Sequence, residues 1–101
     1  MILLDTSGLL AIQVGGQVQL ALVDEVARNV YRLEPFSVHD VSVAAGVMRR
    51  YANLAIGLAD ASIVVLAQRH GTRDVLTLDE RHFRALRTSD GKRFRMLPAD
   101  Q

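Results

Sequence analysis

Twice in this chain a short apolar run stops on an aspartate. Ile2-Leu3-Leu4 runs into Asp5, and Val75-Leu76-Thr77-Leu78 runs into Asp79. An apolar run without polar alternation predicts a strand buried on both faces, as in a parallel sheet. In open sheets of this kind, ligands gather at the carboxyl ends of the strands. Both aspartates fall there. Two strands that each end in Asp make a stronger site than either carboxylate alone.

Length and composition narrow the classes. At 101 residues, 50% of them hydrophobic, the chain suits one small domain with one core and is too apolar for disorder. No stretch approaches the ~18 apolar residues of a membrane span. The N-terminus lacks a basic flank and Asp5 interrupts its apolar run, so it does not read as a signal peptide. Without cysteine there is neither a disulfide framework nor a thiolate metal site. A cytoplasmic protein with no membrane association is the expectation.

Charge is small in sum, +1, but uneven. Residues 1–60 hold six acids against four arginines, net −2, whereas residues 61–101 hold eight cations against five acids, net +3. The basic stretch carries Arg81, Arg84, Arg87, Lys92, Arg93 and Arg95. Cations beside a carboxylate cluster suit a polyanion such as RNA. A solvated helix face explains them equally well.

Along the chain, residues 8–12 predict a short helix and Gly15-Gly16 a loop. Gln17 to Asn29 predicts a helix, and Tyr31–Glu34 a short edge strand that ends at Pro35. Ser37 and Asp40 form a capping box that opens a helix with an apolar stripe Val38, Val41, Ala45, Met48 and Ala52. Asp60 precedes a mostly apolar, buried helix, Ala61–Gln68, stopped by Gly71. Its plainest role is to cap that helix. Glu80–Leu86 predicts a helix with Asp79 as a candidate cap, and Arg93–Leu97 a final edge strand. Alternating strands and helices imply an α/β sandwich around a mostly parallel sheet of about four strands.

Asp5, Asp60 and Asp79 are the candidate site. Carboxylates are hard oxygen donors suited to Mg²⁺ or Mn²⁺, and clustered like charges favour a cation that holds them together. Such an ion can activate water and neutralise charge on a phosphodiester. Thr6 and Thr77 flank the acids and could hydrogen-bond them; for Ser7 ordinary turn chemistry suffices. Other site types fit worse. No Gly-rich phosphate loop with Lys occurs, and His39, His70 and His82 lack zinc spacing, so each is expected at a helix end or surface. A receiver-like phosphorylated Asp lacks paired acids after the first strand and a suitably placed Lys.

Three blocks of the sequence resemble PIN-domain proteins: Ile2-Leu3-Leu4-Asp5-Thr6-Ser7, Gly57-Leu58-Ala59-Asp60-Ala61-Ser62 and Leu76-Thr77-Leu78-Asp79-Glu80-Arg81-His82-Phe83. They are most similar to VapC toxins of toxin–antitoxin pairs. The resemblance implies a three-layer PIN-like sandwich and a Mg²⁺- or Mn²⁺-dependent endoribonuclease. It also implies a cognate antitoxin and a homodimer. By position, Asp5, Asp60 and Asp79 would be the catalytic, metal-binding acids. From their charge rather than from the resemblance, Arg81, Arg84, Arg87, Lys92 and Arg93 are the candidates to hold that RNA.

The resemblance has two gaps. A downstream acidic position of the last block is His82 here. After Ala11 the family places a further helix, a strand and another acid, usually Glu. This chain instead passes through Gly15-Gly16 straight to the later helix, an internal shortening near residues 12–16. One family strand would then be missing. Either Tyr31–Glu34 pairs with the first strand, or an edge stays open to dimerisation. Weaker metal binding follows, and with it a second reading: an impaired remnant that binds antitoxin or another partner without cutting.

Overall fold

The computed structural model describes residues 2–5, 20, 24, 27–28, 33–77, 80–97 and 99–100. Within them the order is β1 (Leu3–Leu4), α1 (Val38–Arg50), a 3-10 turn (Ala52–Leu54), α2 (Leu58–His70), β2 (Asp74–Leu76), α3 (Glu80–Ala85) and β3 (Arg95–Leu97). The expected helix at residues 8–12, the Gly15-Gly16 loop and most of the expected 17–29 helix lie outside the described residues. Leu20, Asp24 and Ala27 are helical, and the Arg28 N–H donates to the Asp24 carbonyl at 3.0 Å, in keeping with that helix.

The three strands form one sheet in the order β1-β2-β3, parallel throughout. Their register sets two rows of side chains, because alternate residues point to opposite faces. Leu3, Val75 and Met96 lie side by side, and all three are buried. The other row, Leu4, Leu76 and Leu97, is half-buried or exposed. The expectation of two buried faces is therefore corrected among the described residues: one row is sealed and the other is partly open.

Two more expectations change. About four strands were expected, and three are present among the described residues. Leu33 and Glu34 belong to no strand. A competing set of polar contacts accounts for this. Glu34 bonds to His70 at the end of α2, and the Arg69 guanidinium donates to the Pro35 carbonyl at 2.9 Å and to Asp40 at 2.8 Å. These bonds hold residues 34–35 against the helix end and guide the chain into α1. Tyr31 and Arg32 lie outside the described residues.

Helix α1 opens as expected. The Ser37 N–H donates to the Asp40 carboxylate at 2.8 Å, and the Asp40 N–H donates to the Ser37 hydroxyl at 3.1 Å. Its buried stripe is rotated from the expected one. Val38 is 89% exposed and Val41 44%, while Ala44 is fully buried and Val47, Met48 and Tyr51 pack against the core. Each residue advances a helix by about 100°, so a stripe shifted by one position shares only part of its face. The helix α1 packs against, α2, also buries a small residue completely, Ala61. Helix α2 ends at Gly71, whose φ of 62° suits glycine, with N–H groups of Gly71 and Thr72 returned to the last carbonyls. Phe83 of α3 meets Phe94, just before β3, edge-on at 5.6 Å within the core.

Three carboxylates outside the core are held ionised. The two hydrogen bonds from Arg95 hold Asp74 below its usual value of 3.8. The Ser37 backbone N–H does the same for Asp40, and Arg84 for Asp100. Since each folded-state pKa is depressed, the unfolded chain binds protons first as pH falls. The stability these contacts give is present above the ordinary carboxylate range and is lost below about pH 4. Melting curves between pH 6 and 3 are expected to drop in that window, with a smaller drop in Asp74→Asn. In urea titrations, Met96→Ala at the sealed row is expected to cost ~2–5 kcal/mol.

Candidate active site

The topology gathers the site at one end of the sheet. Asp5 immediately follows β1 and Thr77 immediately follows β2. The ladder continues past both strands: the Asp5 N–H donates to the Leu76 carbonyl at 3.0 Å, and the Thr77 N–H to the Leu97 carbonyl at 3.1 Å. Both residues share the parity of Leu3 and Val75, the sealed row. This explains why a carboxylate and a hydroxyl are buried there, with exposures of 4% and 2%. The Thr77 hydroxyl donates to Asp5 Oδ2 at 2.9 Å, across 72 residues of sequence. The bond fixes the carboxylate in a place where water reaches it little.

Asp60 arrives from a helix. The short loop Gly71–Arg73 joins the end of α2 to the start of β2, so α2 ends where the strands begin. With 13 residues it runs back about 20 Å, which brings its first turn to the strands' carboxyl ends. Asp60 sits in that first turn and is buried to 8% exposure. The expectation that Asp60 caps the helix is corrected. Gly57 is the N-cap, no side chain caps this end, and Asp60 is already inside the helix. Its carboxylate turns instead to His82 on α3. His82 Nδ1 lies 2.7 Å from Asp60 Oδ2, and since a carboxylate only accepts, the Nδ1–H donates.

His82 is thus the residue that sequence reasoning undervalued. Its spacing suggests no more than a helix-end histidine, and its place at an acidic position of the resembling block reads as a loss rather than as a partner for Asp60. The available signal was its place one turn into a helix that starts just beyond β2, on the end where the acids gather. Asp79, Thr6 and Ser7 lie outside the described residues. Among the described residues no three His, Asp or Glu side chains come together as a metal-binding group. The described part of the site contributes two buried carboxylates, Asp5 and Asp60. Their oxygen donors match a hard divalent cation, though two alone do not complete its ligand set.

The basic segment divides. Arg81 lies on α3 beside His82 and is exposed. Arg84 is engaged with Glu80 at 2.9 Å and Asp100 at 2.8 Å. Arg87 donates to the carbonyls of Arg84, Ala85 and Leu86, closing the end of α3. Lys92 and Arg93 precede β3, so in a parallel sheet they stand at the end opposite Asp5 and Thr77. No helix among the described residues is long and apolar enough to cross a membrane.

Comparison with known proteins identifies the family. The PIN domain family profile matches residues 6–88. Ribonuclease VapC26 of Mycobacterium tuberculosis (strain ATCC 25618 / H37Rv) is 42% identical over 90 residues, which cover 89% of this chain and 67% of that protein.

The Thr77–Asp5 bond can be probed without disturbing shape. Thr77→Val removes the hydroxyl and keeps the branch. It is expected to lower stability by about 1–3 kcal/mol in urea titrations, the cost of withdrawing a donor from a buried acceptor.

Proposed function

The chain belongs to the PIN-domain family, and from that premise we propose that it is a divalent-metal-dependent endoribonuclease, the toxin of a toxin–antitoxin pair. The observation that carries this reading is the pairing of two buried carboxylates with fixed donors, Asp5 with Thr77 and Asp60 with His82, at the carboxyl end of one parallel sheet. Burial of carboxylates is costly unless something compensates their charge. Hydrogen bonds supply part of that compensation, and a cation at the same place supplies more.

In this reading Asp5, Asp60 and Asp79 hold Mg²⁺ or Mn²⁺, with Asp79 giving the third carboxylate. The ion when bound lowers the pKa of a coordinated water and offsets charge on the phosphodiester. The protein's own part is positional. Thr77 fixes the Asp5 carboxylate, and Thr6 has a similar role beside it. His82 sets the rotamer of Asp60 through its Nδ1–H, as outer partners of ligating carboxylates do. Arg81, exposed on the same helix as His82, attracts the RNA backbone, with Arg84, Arg87, Lys92 and Arg93 farther along.

The antitoxin and a second copy of the chain are the protein partners of this reading. The exposed Val38, Val41 and Leu58 and the partly open row of the sheet support a covered surface. We place the protein in the cytoplasm. The domain is read as a PIN domain shortened internally near residues 12–16.

A specific observation favours a second reading. His82 occupies a position where the resemblance puts an acid, and its imidazole is engaged with Asp60. A site so altered suits a remnant that binds antitoxin without cutting. Two variants and one titration separate the readings. Asp5→Asn and Asp60→Asn are expected to abolish Mn²⁺ binding by calorimetry and to cut RNA cleavage by more than about 100-fold. Wild-type protein that binds no Mn²⁺ and cleaves nothing, yet gains both in His82→Asp, would establish the remnant.

A further inference from the structure

Away from the acids, two adjoining cavities line one flank of the molecule. The first, about 310 Å³, lies between α1 and α2. Its floor is apolar, with Val47, Val64 and Val65, and Arg50 and Arg87 stand on its wall beside Tyr51. The second, about 360 Å³, lies at the end of α2 and is lined by Thr72, Arg73, Thr88 and Lys92. Gln68 and Ser89 line both, so the two cavities adjoin along one flank. Arg50, Arg73, Arg87 and Lys92 line the pair of cavities with a single carboxylate, Asp90, which pairs with Lys92 at 3.7 Å, while the Arg87 guanidinium is bonded to the end of α3.

We propose that this groove is a track for single-stranded RNA, separate from the acid pair and reaching the opposite end of the sheet. It rests on the RNA reading above. Gly71–Arg73 precede β2 and Lys92 precedes β3, so the second cavity lies at the strands' amino ends. No carboxylate lies within ion-pair distance of Arg50 or Arg73 among the described residues. Asp74 interacts with the Arg73 charge but is bonded to Arg95, and the excess of cations that remains creates a potential that favours a polyanion. The apolar floor adds what a charge patch alone lacks. Successive nucleotides present a flat base and a phosphate each, which matches a floor of valines with Tyr51 beneath a rim of arginines. Tyr51 is held there, since its hydroxyl accepts from the Arg87 N–H at 3.3 Å.

The test is equilibrium binding of a short fluorescein-labelled single-stranded RNA to Asp5→Asn protein in EDTA, by anisotropy across a range of salt. Cleavage is then neither needed nor possible. Each phosphate contact to a single strand contributes a salt exponent of about 0.7, equivalent to about fivefold in affinity near 0.1 M salt. Arg50→Gln and Arg73→Gln are each expected to weaken binding by that factor and to flatten the salt slope by ~0.7. Arg49→Gln, on the same helix but outside the groove, is expected to change nothing. The proposal is overturned if Arg50→Gln and Arg73→Gln bind normally, or if Arg49→Gln loses as much, which marks diffuse charge. It is also overturned if poly-glutamate displaces the RNA at equal charge concentration, which marks a surface for an acidic protein. Protein that binds RNA with this variant pattern but never cleaves keeps the track and loses the nuclease. Protein that cleaves while Arg50→Gln and Arg73→Gln bind normally does the reverse.

Discussion

The parallel pairing of β1 with β2 is the constraint on which the rest depends. It joins Leu3 to Val75 across most of the chain and aligns Asp5 with Thr77 one step beyond the strands. Closing so long a loop carries an entropic cost that only the combined burial of Leu3, Val75, Met96 and the facing side of α2 can offset. The same register that seals the row also carries its last members, a carboxylate and a hydroxyl, into the buried layer. Core and candidate site are therefore one structure: loosening the apolar row misplaces the acid.

The second carboxylate reaches the site by another route. Asp60 depends on the length of α2 and on the tight return into β2 at Gly71. Its partner His82 depends on α3 starting promptly after β2. Three elements with no local interaction in sequence thus converge through helix and strand direction alone. A cluster of contacts among Glu34, Arg69, His70 and Asp40 then anchors the opposite end of α2. The helix is held at both ends by polar groups and along its length by small or branched apolar ones.

What was legible in the sequence was local or periodic. The capping box at Ser37 and Asp40 is a four-residue signal, and it forms as read. The apolar runs ending at Asp5 and Asp79 gave two parallel strands, and Gly71 marked the end of a helix. What was not legible depended on partners far along the chain. The face of α1 that is buried carries Ala44, not the larger Val38 and Val41. Tyr31–Glu34 alternates like a strand, yet Glu34 is claimed by His70 and Arg69, 36 and 35 residues downstream. Asp60 carries the signature of a cap, and only the fold turns it toward His82. Asp79, a member of the site by resemblance, lies outside the described residues.

The central position of β2 has a consequence for when the molecule acquires its chemistry. Among the described strands, β1 has no neighbour but β2, which lies about three quarters of the way along the polypeptide. During synthesis the β1–β2 pairing must wait until residues 74–76 have left the ribosome. The Thr77 hydroxyl and the His82 imidazole emerge later still. A nascent chain that stops short of Thr77 and His82 therefore cannot hold Asp5 and Asp60 as the folded domain does, so the hydrolytic centre proposed for it would be silent until those residues emerge.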